Sequence, residues 1–121
     1  MRTYENHDWV MAQNSLESTS RKIQKSLQSL KTSSPFYETA KEREKALQIG
    51  ISALHHFLNE EPISYADSEI QRTIQVFLDI QKELLIMSKK DSLGASQKTL
   101  LQRRFIAHQM VIEILEDSLH P

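Results

Sequence analysis

The residues best suited to chemistry in this chain are two histidines and two glutamates in the stretch ALHHFLNEEP, residues 53–62. Imidazole nitrogens and carboxylate oxygens are ligands that zinc and other divalent metals accept. His56 and Glu60 stand four positions apart, so on a helix their side chains would share one face. His55 would point about a hundred degrees away, and Glu61 precedes a proline, where the helix must end. The pattern therefore offers two ligands to one ion, too few for tight zinc binding.

A polar helix end explains the same residues without a metal ion. Histidine is favoured near a helix C-terminus, because the helix dipole is negative there. Helical bundles that bind metals place Glu-x-x-His on paired helices, and this spacing does not occur in the sequence. A metal-dependent enzyme built around His56 and Glu60 is thus the least favoured of the functional hypotheses. We predict that the chain binds no metal and no other cofactor.

One further histidine, His108, falls among Phe105, Ile112 and Leu115 on an apolar helix face. It could act as a base, a ligand or a pH switch, or lie at the edge of a core with one hydrogen-bond partner. No nucleophile motif accompanies it, and the chain has no cysteine. The only two glycines are isolated, so no phosphate-binding loop can form. We therefore expect a protein that is not an enzyme.

The composition is that of one soluble globular domain spanning residues 1–121. Apolar residues make up 39% of the chain and charged residues 26%, with a net charge of −1. The N-terminal residues lack the apolar stretch of a secretory signal, and the apolar run at residues 84–87 is far too short to span a bilayer. We expect a cytoplasmic protein without membrane association.

Turn-forming residues divide the chain into segments whose apolar residues recur at helical spacing. The pattern predicts four helices, at about residues 4–31, 35–59, 64–90 and 96–119. Helices of similar length joined by short loops pack antiparallel. The predicted fold is therefore all-α, an antiparallel, up-down-up-down four-helix bundle with long helices.

Helix starts and buried faces follow from the same pattern. Ser34, which precedes a proline, is the clearest N-cap, and Ser64 and Ser96 are predicted to cap helices 3 and 4. The spacing assigns Phe36 of helix 2 and Leu85 of helix 3 to the buried face.

Helices 3 and 4 are apolar over a wider arc than one bundle requires. Either they lie deepest in the core, or the excess faces another molecule. The second interpretation predicts a non-enzymatic interaction, adaptor or regulatory protein that binds a protein partner, or a second copy of itself as a homodimer. The residues predicted to bind the partner are Leu78, Ile80, Met87, Val111 and Ile114.

An alternative concerns the stretch SLGASQKTLLQRRF, residues 92–105, which resembles the turn and second helix of a helix-turn-helix DNA-binding protein. The stretch departs from the motif at Lys90, where a small residue is usual, and the helix before it is too long. A net charge of −1 also lacks the basic excess that favours phosphate binding. Nucleic acid therefore ranks below a protein partner. The resemblance implies that the residues facing DNA are Gln97, Lys98, Thr99, Arg103 and Arg104.

Overall fold

The computed structural model describes residues 4–119, and this part of the chain forms four α-helices without a strand. None of these helices is both long enough and apolar enough to cross a membrane. The predicted all-α four-helix bundle is confirmed. The helices are α1 (Asn6–Ser29), α2 (Pro35–Leu58), α3 (Asp67–Ser88) and α4 (Ala95–Leu119).

The direction of each helix follows from the residues that meet across the seams. Tyr4, just ahead of α1, donates a hydrogen bond to Glu113 near the end of α4. Gln13, early in α1, lies against His55, late in α2, with 3.0 Å between their side-chain nitrogens. The short loop of residues 89–94 turns α3 back into α4. The bundle is therefore antiparallel, up-down-up-down.

Both α2 and α4 contact each of the other three helices, whereas α1 and α3 lie on opposite sides and do not meet. The longest run of buried residues is on α4. Its second half is consequently buried on several sides. Glycine allows α2 to approach it closely: Gly50 is buried and lies against Phe77 and Val111. The buried residues of α4 are Leu101, Ala107, His108, Met110, Val111, Ile112, Ile114 and Leu115.

The predicted hydroxyl caps have different outcomes. Ser34 is confirmed, because its Oγ accepts the N–H of Phe36 at 3.2 Å. The prediction for Ser96 is wrong, since α4 begins one residue earlier and Ser96 lies inside its first turn. The side-chain oxygen of Gln97 instead accepts the Gly94 N–H at 3.3 Å.

Ser64 is not a helix cap either. The helix α3 begins only after Ala66, whose side chain makes no capping hydrogen bond. Ile63 and Tyr65 are half-buried and pack against the core. Their burial holds residues 61–66 outside any helix and delays the first turn of α3.

A polar cluster joins α1 to α2 where the apolar stripe of α1 is interrupted. Ser20 is buried, and its hydroxyl donates to the Glu44 carboxylate at 2.9 Å. The side-chain amides of Gln24 and Gln48 each donate to the same carboxylate at 2.8 Å. These directional bonds set the register of α1 on α2 more strictly than apolar contacts would.

We expect Ser20→Ala to lower the free energy of unfolding by about 1–2 kcal/mol, because the half-buried Glu44 carboxylate loses a donor. Urea unfolding followed by circular dichroism measures the change. Ser26→Ala is the matched control on an exposed face of the same helix, with an expected change within about 0.5 kcal/mol. Equal effects of the two substitutions would show that the cluster does not stabilise the fold.

Candidate functional site

The histidines and glutamates at the end of α2 form a helix terminus and not a group of converging ligands. His55 is exposed, and the Nδ1 of His56 lies 4.0 Å from Glu61 Oε2. Glu60 adopts a left-handed φ of 56° and lies beyond the end of α2 at Leu58, so the helical spacing that would pair it with His56 does not apply to it. Within residues 4–119, no three His, Asp or Glu residues are placed to hold one metal ion.

His108 lies in the middle of the bundle and is 1% exposed. Its Nδ1–H donates to the backbone carbonyl of Arg104, with 2.7 Å between nitrogen and oxygen. The ring packs on Phe77 with 4.8 Å between centroids. The Nε2 is buried and has no hydrogen-bond partner in the part of the chain that the structure describes. A ring so enclosed is not accessible to a substrate.

The surroundings of His108 disfavour its protonation. Burial lowers its pKa below 6.5, because the imidazolium ion would lose its hydration. The hydrogen bond to the Arg104 carbonyl raises the pKa, whereas the positive charges of Arg104 and Arg43 lower it. The net result is a neutral histidine whose Nε2 lone pair faces the core.

Residues 92–105 do not form a helix-turn-helix. The two helices of that motif cross at about 90–120°, whereas α4 packs antiparallel against α3. The side-chain amide of Gln81 in α3 donates to Gln109 Oε1 in α4 at 3.1 Å, and to the carbonyl of Phe105 at 3.3 Å. The resemblance is therefore confined to the sequence. The residues it implicates lie on the first half of α4 and are exposed except for the half-buried Arg104: Gln97, Lys98, Thr99, Arg103 and Arg104.

The residues predicted to bind a partner divide into two groups. Ile80, Val111 and Ile114 are buried in the core of the chain itself, with Val111 fully enclosed, so their assignment to a partner surface is wrong. Val111 and Ile114 are covered because α4 contacts all three other helices, and Ile80 is covered because α3 packs against α4 and α2. Leu78 and Met87 are exposed and remain available to another molecule.

An apolar cleft of about 310 Å³ opens on the α3–α4 hairpin. Leu85, which the spacing assigned to the core, is 48% exposed at this cleft. Leu78 precedes it by seven residues, so both side chains lie on the same face of α3. We call this surface the hairpin cleft. Its lining residues are Leu84, Leu85, Ser88, Lys98, Leu101, Gln102 and Phe105.

The border of the hairpin cleft is basic. Lys98 lines the cleft, and no acidic residue does. Lys82, on the same helix as Leu85, and Lys89, directly after the end of that helix, are also exposed. The cleft thus combines apolar side chains with positive charge.

A larger cleft, of about 680 Å³, lies between α2 and α3. Its wall carries both signs of charge, and the Arg72 guanidinium is paired with the Glu42 carboxylate. Because the charges in this cleft largely compensate one another, it presents no strong field to an ionic ligand. The hairpin cleft is the more distinctive surface.

Comparisons of the chain with protein-family models, with curated proteins and with solved structures found no match.

Proposed function

We propose that this protein is a non-enzymatic interaction module that binds an amphipathic helix of a partner protein in the hairpin cleft. The observation that supports the proposal is the exposure of Leu78 and Leu85 on one helical face beside an apolar depression. Grouped apolar side chains in water raise the free energy of the unbound protein and favour association. A groove between two helices receives side chains that a third helix presents at positions i, i+4 and i+7.

The charges around the hairpin cleft define the chemistry of the partner. Lys98 lines the cleft, the exposed Lys82 and Lys89 lie within about one turn of Leu85 in the sequence, and the lining has no acidic side chain. Complementary charge accelerates association and disfavours wrong partners. The proposed partner helix therefore has an apolar face with acidic residues beside it.

Leu85→Asp tests this proposal, because it places a carboxylate in the cleft at a position already exposed in the free protein. We expect circular dichroism to show an unchanged helix content and partner retention to fall by at least about tenfold, as for a central interface residue. The measurement is quantitative mass spectrometry of proteins retained by the immobilised chain from an extract of its native host.

Phe36→Asp is the matched control, since Phe36 is 70% exposed on α2 and does not line the cleft. The proposal predicts a protein that the wild type and Phe36→Asp retain and that Leu85→Asp does not. The proposal is supported if this protein, once purified, binds the three chains with the same order of affinities. Identical retained sets for all three chains would contradict docking in the cleft.

A further inference from the structure

The charge on α4 changes sign along the helix. Its first half carries the exposed Lys98 and Arg103 and no acidic residue. Its second half carries the exposed Glu116 and Asp117 and no lysine or arginine. The two halves of one helix surface are therefore electrostatically complementary to each other.

This order of charges opposes the dipole of α4. Negative side chains stabilise the N-terminal end of a helix and positive ones its C-terminal end, yet α4 has no acidic residue in its first turn and no basic residue in its last. Among the ion pairs between residues 4 and 119, none involves α4. The arrangement thus weakens the helix, and no ion pair among the described residues offsets it, which points to a role outside the single chain.

Apolar side chains are exposed between the two charged halves. Ile106, near the middle of α4, is 45% exposed. Met11 of α1 is also exposed, and it lines a shallow depression of about 80 Å³ together with Ile106 and Arg103. An apolar centre between charged borders is the usual anatomy of a protein–protein interface.

We propose that a second copy of the chain docks on this face, with the two α4 helices antiparallel about a two-fold axis near Ile106. Antiparallel packing about an axis near Ile106 places Lys98 of each copy opposite Glu116 and Asp117 of the other, and it places Arg103 closer to the centre of the pair. Because of the two-fold axis, the same contacts between basic and acidic residues form twice, and the assembly is closed as a dimer. Parallel packing would bring like charges together, so the charge order itself selects the antiparallel pair.

The dimer goes beyond the proposed function, because its centre is Ile106 and the centre of the hairpin cleft is Leu85. Lys98 borders both surfaces, whereas Ile106 does not line the cleft. Ile106→Asp is therefore expected to abolish the dimer and Leu85→Asp to leave it intact. Ile106→Asp thus tests the dimer, and Leu85→Asp tests partner binding in the hairpin cleft.

A pair of charge-reversal variants tests the charge pairing between the two copies. The variant K98E/R103E makes the α4 surface acidic along its whole length, and E116K/D117K makes it basic. We expect the wild type to be dimeric at low salt, each variant to be monomeric, and an equimolar mixture of the two variants to form a heterodimer. Light scattering coupled to size-exclusion chromatography measures the masses, and high salt should weaken the dimer by about tenfold or more.

The control K22E/K25E makes the same change of charge on an exposed part of α1 and should remain dimeric. A wild type that stays monomeric at low salt overturns the proposal, as does a mixture of variants that does not associate. A monomeric wild type that binds a short DNA duplex, with binding lost in K98E/R103E, would also overturn it and assign the basic half of α4 to nucleic acid.

Discussion

Gly50→Ala should lower the free energy of unfolding by about 1–3 kcal/mol, although alanine is the better helix former. A Cβ at Gly50 would lie 2.6 Å from Cζ of Phe77 and 3.2 Å from Cγ1 of Val111. Phe77 and Val111 are fully buried, so neither can move without displacing further core side chains. The steric cost therefore exceeds the gain of about 1 kcal/mol in helix propensity.

Gly94→Ala is the matched control for this substitution. A Cβ at Gly94 would meet no heavy atom within 4 Å, and the expected change is within about 0.5 kcal/mol. Combining Gly50→Ala with Phe77→Leu should cost less than the sum of the single changes, because the smaller side chain gives the methyl group room. Urea unfolding measures the free energy of unfolding of the three single variants and of the double variant. If Gly50→Ala were as stable as the wild type, the ring of Phe77 would be free to shift.

The second large effect is a loss of stability in acid that originates at His108. The unfolded chain protonates this histidine near pH 6.5, whereas burial keeps its pKa lower in the folded chain. Below pH 6.5 the unfolded state therefore binds more protons, and the free energy of unfolding falls by up to about 1.4 kcal/mol per pH unit. The contribution is complete above pH 6.5 and is lost as the pH falls toward the pKa of the folded state.

The charged groups that oppose protonation of His108 come from two helices. They are the guanidinium of Arg104 on α4 and that of Arg43 on α2, which also forms an ion pair with Glu83 of α3 at 2.6 Å. The pH at which the stability declines therefore depends on these neighbours as well as on burial. Arg43→Gln should raise the pKa of His108 in the folded chain toward the unfolded value. The decline would then still begin near pH 6.5 but end at a higher pH, so the total loss of stability in acid should be smaller than in the wild type.

Urea midpoints of the wild type and of His108→Met, measured at a series of pH values below 6.5, test this expectation. Methionine fills a similar volume without a titratable group, so the variant should show a flatter pH dependence than the wild type. His7→Gln removes a histidine at an exposed position and is expected to keep the wild-type slope. A slope in His108→Met equal to that of the wild type would place the acid sensitivity elsewhere.

The sequence by itself determined the number of helices, their approximate bounds and the all-α class. These properties depend on local features, because helical spacing and capping are set by residues within one or two turns of each other. The segment predicted at residues 35–59 is α2, Pro35–Leu58, and it begins with the predicted cap from Ser34. Ser64 failed as a cap because the burial of Ile63 and Tyr65 is a tertiary effect.

Only the tertiary structure decided which apolar residues are covered. Phe36 and Leu85 have the spacing of core residues, yet both are exposed, because the neighbouring helices do not extend over them. Val111 and Ile114 were predicted to bind a partner, yet both are buried because α4 packs against all three other helices. Spacing defines a face of a helix, whereas the arrangement of its neighbours defines how much of that face is buried.

The sequence shows how much charge the chain carries, and the tertiary structure decides where that charge lies. A net charge of −1 describes the sum over the chain, and the sequence also shows acidic and basic residues in separate stretches. The antiparallel packing places the end of α1 and the start of α4 at the same end of the bundle, so basic residues such as Lys25 and Lys98 lie toward that end. The position of charge in space depends on helix direction, and contacts between residues distant in sequence determine that direction.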